Sequence, residues 1–547
     1  SIHDAWVNRR EELEEQAQKL LSHISMSGKI FSKAASVVPV TDENRFTAEQ
    51  CDIMAVYILK TSPKNNWGVG NPPQFPPTFF IPYFLAYSYH TGHEKALMQA
   101  ELSLNKMLQG GIYDHLAGGM ARYSTDNAWL VPHFEKMLYD NALLVFVLAD
   151  AYQLTQKKHY ADAICKTLDF LISEMKHPQG GFYAALDADS EGEEGKYYVW
   201  DKQEINDLLG EDAGMYCSWF NITDNGNWEG KNILHITGEP EVFAGMNHMN
   251  VQDMQNFISR CNDKLLAARN KRVRPLTDDK ILLGWNALLV TAFSKAYAAT
   301  GIEKYKTEAI SLFDFINQVF TAENESEYFH SYKNNTARFP AFLDDYAYLI
   351  QACLHLQEIT SWQHYLQVAK QVTQYVIHHF EDSETGFFYF THKDQKDVIT
   401  RKMDVHDGAT ASGNSIMAGN LYYLSVIFEK RDWYEKAQQL TSQLAEAVMK
   451  YPTSFAVWAF VILKQVMGIN EIVVTGTDLG TIHKEMLRLY IPNKVMQVQT
   501  IETEGYPLLK GKDFGSGSYI YLCSDFSCKG PVNSISELLA LLKKPVY

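Results

Sequence analysis

The sequence predicts a mainly helical protein, built as a ring of helical hairpins with short β excursions and a small α/β unit at its C-terminal end. Two observations support this prediction. About a dozen segments carry apolar residues at helical spacing. One loop-to-helix plan also returns along the chain at intervals much longer than a single helix. Long repeats of this kind are typical of helical architectures whose equivalent loops lie on one face.

The repeated plan is clearest between Gly110 and Thr155. A Gly-Gly turn and an aromatic run lead into a polar loop, then to His133, Glu135 and Asp140, and finally to a helix rich in Leu, Val and Ala. Further copies begin at Gly180, Tyr328 and Gly386. Polar groups therefore gather where helices begin, and a ring would bring them to one mouth with a carbohydrate-sized cleft.

The N-terminal part has a charged helix that begins near Trp6, followed by a helix over 48–60 and a proline-rich loop that holds Trp67 and Phe75. The next predicted helices cover 81–90, 94–109, 141–154, 160–175, 202–209, 251–270, 281–300, 303–319, 345–360, 362–380, 413–429, 433–450 and 454–466. These are close in number to the twelve helices of six hairpins. The uniformly apolar ones are expected to line the inside of the ring.

The pattern changes after Met467. Strand-like EIVVTG, KVMQVQTI and SYIYLC alternate with helix-like IHKEMLRLY and ISELLALLKK, which indicates a small α/β unit. We therefore predict two domains, a six-hairpin toroid over 1–467 and a small α/β domain over 468–547, with the boundary near Gly468.

The charge balance disfavours several classes of partner. The chain has 547 residues and a formal net charge of −16, without a long Lys or Arg run. Such a field repels nucleic acid and anionic membrane surfaces. No apolar run reaches the ~18–20 residues that span a bilayer, and the first residues lack a signal-peptide core. We expect a cytoplasmic protein with no nucleic-acid or membrane partner.

Seven cysteines are too few and too scattered for a disulfide framework. Cys523 and Cys528 are separated by four residues, which is not the spacing of a redox or zinc motif. Both are predicted to be buried thiols. Asp187, Asp189 and Glu191 open like a calcium loop, but Tyr198 stands where the bidentate glutamate should be. No cofactor and no metal site is predicted.

Four ordered motifs, PHFEKMLYDNA, RPLTDDKILLGWNALL, AFLDDYAYLI and VHDGATASGNS, resemble those of the spermatogenesis-associated thioredoxin-like proteins. The resemblance covers nearly the whole chain. It implies an (α/α)6 toroid similar to N-acylglucosamine 2-epimerases and six-hairpin glycosidases. Two departures stand out: the family's thioredoxin-like domain is expected to precede the point where this chain begins, and Gln74 replaces the lysine of the family's Pro-Lys-Phe-Pro.

Candidate site residues come from the polar loops. Carboxylates and histidines at helix starts can transfer protons, although each can equally cap a helix. The catalytic candidates are Asp140, Asp187, Asp279, Asp345, Asp407 and His133. The candidates for substrate binding are His115, Arg122, Trp67, Trp285, Asn286, Tyr346 and Asn414.

Three functions remain open on these residues. A glycoside hydrolase would place two of the carboxylates beside a glycosidic bond. A sugar 2-epimerase would use histidine bases, for which His133 and His406 are the candidates. The toroid could instead be a non-catalytic binding or scaffold module of a thioredoxin-like family protein. The expected ligand of either enzyme is a saccharide. Aromatic residues make up 13% of the chain, which is compatible with rings that stack on sugar faces and equally with rings buried in a large helical ring.

Overall fold

The computed structural model describes residues 6–20, 46–62, 72–323 and 326–542. The helices, from residue 46 onward, are α1 (Ala48–Thr61), α2 (Phe80–Thr91), α3 (Glu94–Gln109), α4 (Leu138–Thr155), α5 (Lys158–Phe170), α6 (Lys202–Leu209), α7 (Ala213–Trp219), α8 (Pro240–Met246), α9 (Val251–Arg269), α10 (Leu283–Thr300), α11 (Glu303–Phe320), α12 (Leu343–Thr360), α13 (Gln363–Phe380), α14 (Gly413–Phe428), α15 (Arg431–Gln443), α16 (Ala445–Lys450), α17 (Ala456–Met467), α18 (Gly480–Leu487) and α19 (Ile535–Leu542).

The strands are short except in the C-terminal part. They are β1 (Tyr123–Ser124), β2 (Pro132–His133), β3 (Lys136–Met137), β4 (Ala185–Leu186), β5 (Asp189–Ser190), β6 (Glu193–Glu194), β7 (Thr277–Asp278), β8 (Ile281–Leu282), β9 (Phe329–Lys333), β10 (Thr336–Pro340), β11 (Asn470–Gly476), β12 (Lys494–Gln499), β13 (Ser518–Ser524) and β14 (Ser527–Cys528).

Six helices form a closed inner ring. In order around the axis they are α2, α4, α10, α12, α14 and α17, and α17 packs back against α2. Their outer partners are α3, α5, α11, α13, α15 and α1, each packed on one inner helix. The predicted mainly α fold, an (α/α)6 toroid with short β excursions, is confirmed.

The sequence explains which helices lie inside. Helix α10 reads LGWNALLVTAFSKAYAAT and is buried on almost every side, because it has ring neighbours on both flanks and an outer helix behind it. Its outer partner α11 buries one stripe, which includes Tyr305, Leu312 and Ile316, and exposes its charged face.

The β excursions join loops of neighbouring hairpins at one end of the ring. Strand β4 pairs with β3, where Met137 lies opposite Ala185, and also with β7, where Ala185 lies opposite Asp278. Strand β9 pairs with β8 and β10. Three loops that are far apart in sequence are therefore held together beside the starts of α4 and α10.

An insertion separates α5 from α10. Helices α6 to α9 enclose a small core of their own, with Trp200, Tyr216 and Phe220 at its centre. Sequence periodicity predicted the segments of α6 and α9 as helices of the ring, but they belong to this insertion. Short α7 and α8 were not predicted, because helices of seven residues carry little periodic signal.

A buried ion triad ties the insertion to the ring. Asp114 accepts hydrogen bonds from Lys136 Nζ at 2.8 Å and from Arg269, on α9, at 2.9 Å. Burial opposes the charge of Asp114, but Arg269 and Lys136 outweigh it and hold its pKa well below the ordinary value.

The C-terminal strands form one sheet in the order β12-β11-β13-β14, with β11 parallel to β12 and antiparallel to β13. Its apolar residues are continuous with those of the ring. Gln153 and Gln357, near the C-terminal ends of α4 and α12, donate to the carbonyls of Leu487 and Met496. This unit therefore covers the ring at the C-terminal ends of its inner helices. The domain division at Gly468 stays a prediction.

One prediction about cysteine is wrong. Cys523 and Cys528 form a disulfide between β13 and β14, where the two residues lie opposite each other. The sequence spacing did not indicate it, because strand pairing, not separation along the chain, brings their Cβ atoms together. Among the described residues, no helix is both long and apolar enough to cross a bilayer.

Candidate active site

The mouth of the ring lies at the N-terminal ends of the inner helices. The first N–H groups of a helix have no partner inside it. Here, carboxylates from neighbouring loops and helices supply many of the missing acceptors. The mouth is therefore rich in carboxylates, and the contacts of each one decide which are available for chemistry.

Asp345 is committed to such contacts. Its Oδ1 accepts from the Gly284 N–H of α10 at 2.8 Å, and its Oδ2 accepts from the Phe342 N–H at 2.8 Å. Its Oδ2 also lies 2.8 Å from His330 Nδ1. Both oxygens are occupied and the side chain is buried, so these contacts favour a positioning role over the catalytic role considered from the sequence.

Asp407 is committed in the same way. Oδ1 accepts from the Ser412 N–H and from the Ser415 hydroxyl, and Oδ2 accepts from the Val457 N–H at 2.9 Å. Asp407 thus joins the starts of α14 and α17. Burial raises its pKa to about 6, against the effect of these donors.

Asp140 differs from both. It is the third residue of α4, only 6% exposed, and its Oδ2 is buried without a hydrogen-bond partner among the described residues. Burial raises the pKa of Asp140 well above its ordinary value, although nearby Arg122 and Tyr139 oppose this. A raised pKa favours the protonated form of this carboxyl group, which is the form that can donate a proton.

Charged and aromatic groups surround Asp140. Arg122 donates to Glu135 Oε2 at 3.0 Å, and the Trp285 ring on α10 packs edge-on against Tyr139 at 4.8 Å. The β3–β4–β7 ladder places these loops side by side. Of the predicted site residues, Asp140, Arg122, Trp285 and His133 are therefore brought together at the start of α4.

His133 belongs to this cluster through the β1–β2 pair. It lies opposite Tyr123, and the two rings stack at 4.9 Å. Nδ1 is 2.7 Å from Glu194 and Nε2 is 3.8 Å from Glu135. A carboxylate that holds one ring nitrogen orients the imidazole and leaves the other nitrogen available for proton transfer.

Sequence reasoning missed a second histidine of this type. His330 on β9 bonds Asp345 through Nδ1, and its ring packs on Phe342 at 4.7 Å. Burial favours the neutral ring, but Asp345 outweighs burial and raises the pKa of His330. The available signal was its place in the repeat that begins at Tyr328, within the run YFHSYKNN.

Asp344, next to Asp345, caps a neighbouring helix. It accepts from the Gly413 N–H of α14 at 2.8 Å, which is a capping contact between helices. Burial, followed by repulsion from Asp345, raises its pKa to about 7.

The amides predicted to bind substrate hold the repeat together. Asn286 accepts from the Phe182 N–H at 2.8 Å and donates to the Phe182 carbonyl at 3.1 Å. Asn414 holds both backbone groups of Phe388 in the same way, and Asn141 holds those of Met120. All three amides are buried. These clamps favour a structural role for Asn286 and Asn414.

Tyr346 replaces the amide in the copy that begins at Tyr328. Its buried hydroxyl accepts from the Tyr328 N–H at 3.1 Å. His115 is also buried, with Nε2 at 3.0 Å from the Gly110 carbonyl, and burial lowers its pKa to about 4. Neither contact favours substrate binding.

The remaining predicted residues lie apart from Asp140 or outside the described part. Asp187 is exposed and accepts from the Asp189 N–H, while exposed Asp279 pairs with Lys333 at 2.5 Å. His406 is exposed, with its ring 4.8 Å from Phe455. Trp67 lies outside the described residues.

Within the described ranges, His379, His392 and Asp394 bring one ligand atom each to within 4.8 Å of one another. His392 Nδ1, however, accepts from the Asp394 N–H at 3.0 Å. Its proton then resides on Nε2, which cannot bind a metal while protonated. We assign no metal to this group.

No family model matches the sequence. The chain is 28% identical to an uncharacterized protein of Caenorhabditis elegans, across 99% of this chain and 78% of that protein. It is also 28% identical to spermatogenesis-associated protein 20 of Mus musculus, across 87% of this chain and 66% of the mouse protein, and 27% identical to the human protein. The chain is thus similar to spermatogenesis-associated protein 20 along most of its length. The resemblance inferred from the four motifs is confirmed.

Solved structures similar to this chain include a GH76 α-mannanase of Bacteroides thetaiotaomicron, with a TM-score of 0.48, 13% identity, and coverage of 77% of this chain and 96% of that chain. An unsaturated glucuronyl hydrolase of Bacillus sp. GL1 has a TM-score of 0.43 and 10% identity, with coverage of 76% of this chain and 94% of that chain. A cellobiose 2-epimerase of Bacillus thermoamylovorans has a TM-score of 0.32 and 13% identity, with coverage of 73% of this chain and 98% of that chain.

Proposed function

We propose that this protein is a carbohydrate-active enzyme that cleaves a glycosidic bond, with Asp140 as the general acid. The observation that carries the proposal is the buried Oδ2 of Asp140, which has no partner among the described residues. Leaving such an oxygen unpaired costs free energy that a substrate oxygen in hydrogen-bond contact would offset. A protonated carboxyl group is also what a glycosidic leaving group requires.

Nearby residues would complete the reaction. Glu135, fixed by Arg122, supplies a second carboxylate to activate water or to attack the sugar. Trp285 and Tyr123 offer aromatic surfaces for sugar faces. Asp345 and Asp407 have no place in this mechanism, because their oxygens hold the N–H groups of helix starts.

A second function, sugar 2-epimerisation, is favoured by one specific observation. His133 and His330 each have Nδ1 held by a carboxylate, Glu194 and Asp345 respectively. Two oriented imidazoles could remove and return the proton beside a sugar carbonyl. In this reading His330 takes the place of His406, whose ring is exposed.

The test is a screen of oligosaccharides and aryl glycosides for the release of reducing sugar. Asp140→Asn removes the acid and should lower turnover at least about 100-fold, the lower end of general-acid effects. Asp279→Asn is the matched control, because Asp279 is exposed and forms its ion pair with Lys333, and it should keep wild-type turnover. Equal activity in the two variants would exclude Asp140 as the acid.

Epimerisation has a separate readout. In deuterium oxide, an epimerase would incorporate deuterium at the sugar carbon beside the carbonyl, and His330→Asn would abolish the exchange. Exchange without release of reducing sugar would favour the second function. If no saccharide is turned over or bound saturably, the results favour the third function, a non-catalytic binding or scaffold module.

A further inference from the structure

A chamber lies on the axis of the ring, between the inner helices. Its volume is about 210 Å³. One water needs only about 10–15 Å³ of such space, so the chamber can hold much more than a single water. Most of its wall comes from inner helices, and residues 490–494, which lead into β12, lie on the side of the C-terminal sheet. We call it the axial chamber.

Six residues that line the axial chamber have acidic or basic side chains. They are Asp150, Lys295, His355, Glu358, Lys464 and Lys494. Lys295 pairs with Asp150 and Lys494 pairs with Glu358, each at 2.6 Å. Burial, followed by the charge of Lys295, lowers the pKa of His355 to about 3, so this ring is neutral. The pairs cancel, and Lys464 leaves the lining with one excess positive charge.

Lys464 makes no ion pair or hydrogen bond with any described residue. Its nearest aromatic contact is the Phe460 ring, 4.2 Å from Nζ. Burial, then the charge of Lys295, lowers the pKa of Lys464 to about 8, so the ammonium form still dominates at pH 7. A buried charge without a counter-ion is costly, which favours an anion beside it.

Three lining hydroxyls, those of Thr291, Tyr423 and Tyr490, also have no hydrogen-bond partner in the described part of the chain. Thr291 lies one helical turn before Lys295 on α10. Tyr490 lies near Asp150, whose negative charge adds to the effect of burial in raising the pKa of Tyr490. Buried hydroxyls are rarely left unpaired, so these three indicate a polar occupant of the chamber.

We propose that the axial chamber binds a small oxyanion, a phosphate or carboxylate group, held by Lys464 Nζ and by the hydroxyls of Tyr490 and Thr291. The excess charge fits one anionic group, and hydroxyl donors suit its oxygens. Asp140 does not line the chamber. The proposal therefore concerns a second site, and it stands whether or not the mouth hydrolyses sugars.

The test measures the thermal midpoint and calorimetric titration of the full chain with sodium phosphate and, separately, sodium acetate. Sodium chloride at equal ionic strength is the reference. We expect a saturable rise of the midpoint with at least one of the two oxyanions, and the comparison identifies which one. Lys464→Met should weaken binding about tenfold or more, and should raise the midpoint without anion because the uncompensated charge is gone.

Lys304→Met is the matched control. Lys304 is half-exposed and pairs with Asp169 on the outer surface, so this variant should keep the wild-type response to anions. If Lys464→Met does not fold, Tyr490→Phe, which removes only an unpaired hydroxyl, should weaken binding in its place. The proposal is overturned if neither oxyanion acts beyond chloride, if Lys464→Met or Tyr490→Phe binds like wild type, or if crystals grown with either oxyanion hold only water in the chamber.

Discussion

Replacing Asn286 with Ala tests whether the repeated amides are structural clamps. Asn286 is fully buried and satisfies both backbone groups of Phe182, at 2.8 and 3.1 Å. It also donates to the Leu282 carbonyl, but that carbonyl keeps its place at the start of the α10 ladder. The variant therefore leaves two buried backbone groups without a partner.

Each unpaired group costs about 1–3 kcal/mol, so Asn286→Ala should lower the free energy of unfolding by roughly 2–6 kcal/mol. The assay is urea denaturation followed by circular dichroism and by tryptophan fluorescence. Asn256→Ala on α9 is the matched control, because Asn256 is exposed and bonds only Gln252; it should change stability by less than about 0.5 kcal/mol. A loss below about 1 kcal/mol for Asn286→Ala, or equal losses in both variants, would refute the clamp.

Three further outcomes are expected. Turnover should fall as pH rises through the raised pKa of Asp140, since the acid form is lost, and a pH profile that stays flat on the alkaline side would contradict its role. The free energy of unfolding of Asp344→Asn should rise relative to wild type between about pH 4 and 8, by at most roughly 4 kcal/mol. The reason is that the folded-state pKa of Asp344, about 7, makes its ionisation destabilising. Parallel curves of stability against pH for the two proteins would disprove this. Asp114→Asn leaves Lys136 and Arg269 buried without their counter-ion, so it should lower the free energy of unfolding, measured with denaturant, by about 3–5 kcal/mol. A variant as stable as the wild type would contradict this expectation.

The sequence alone determined the architecture. Uniformly apolar helices such as α10 alternate with one-sided helices such as α11, and that contrast predicts an inner and an outer layer. The repeated glycine turns followed by helix starts predicted where polar groups gather. Both signals are local, because burial on all sides or on one side is written directly into the spacing of apolar residues.

Only the tertiary structure decided which polar groups are free. Asp140, Asp345 and Asp407 look alike in sequence, since each lies at or just before the start of a helix. Asp345 and Asp407 each use one oxygen for an N–H group of another helix and the other oxygen for groups at the start of the helix that follows them, or that holds them. Asp140 keeps one oxygen unpaired among the described residues. The difference depends on which helix starts lie beside each other around the ring, and spacing along the chain does not contain that information. The sequence did not predict the role of Lys464 in the axial chamber for the same reason. The residues around Lys464 come from helices that are distant along the chain.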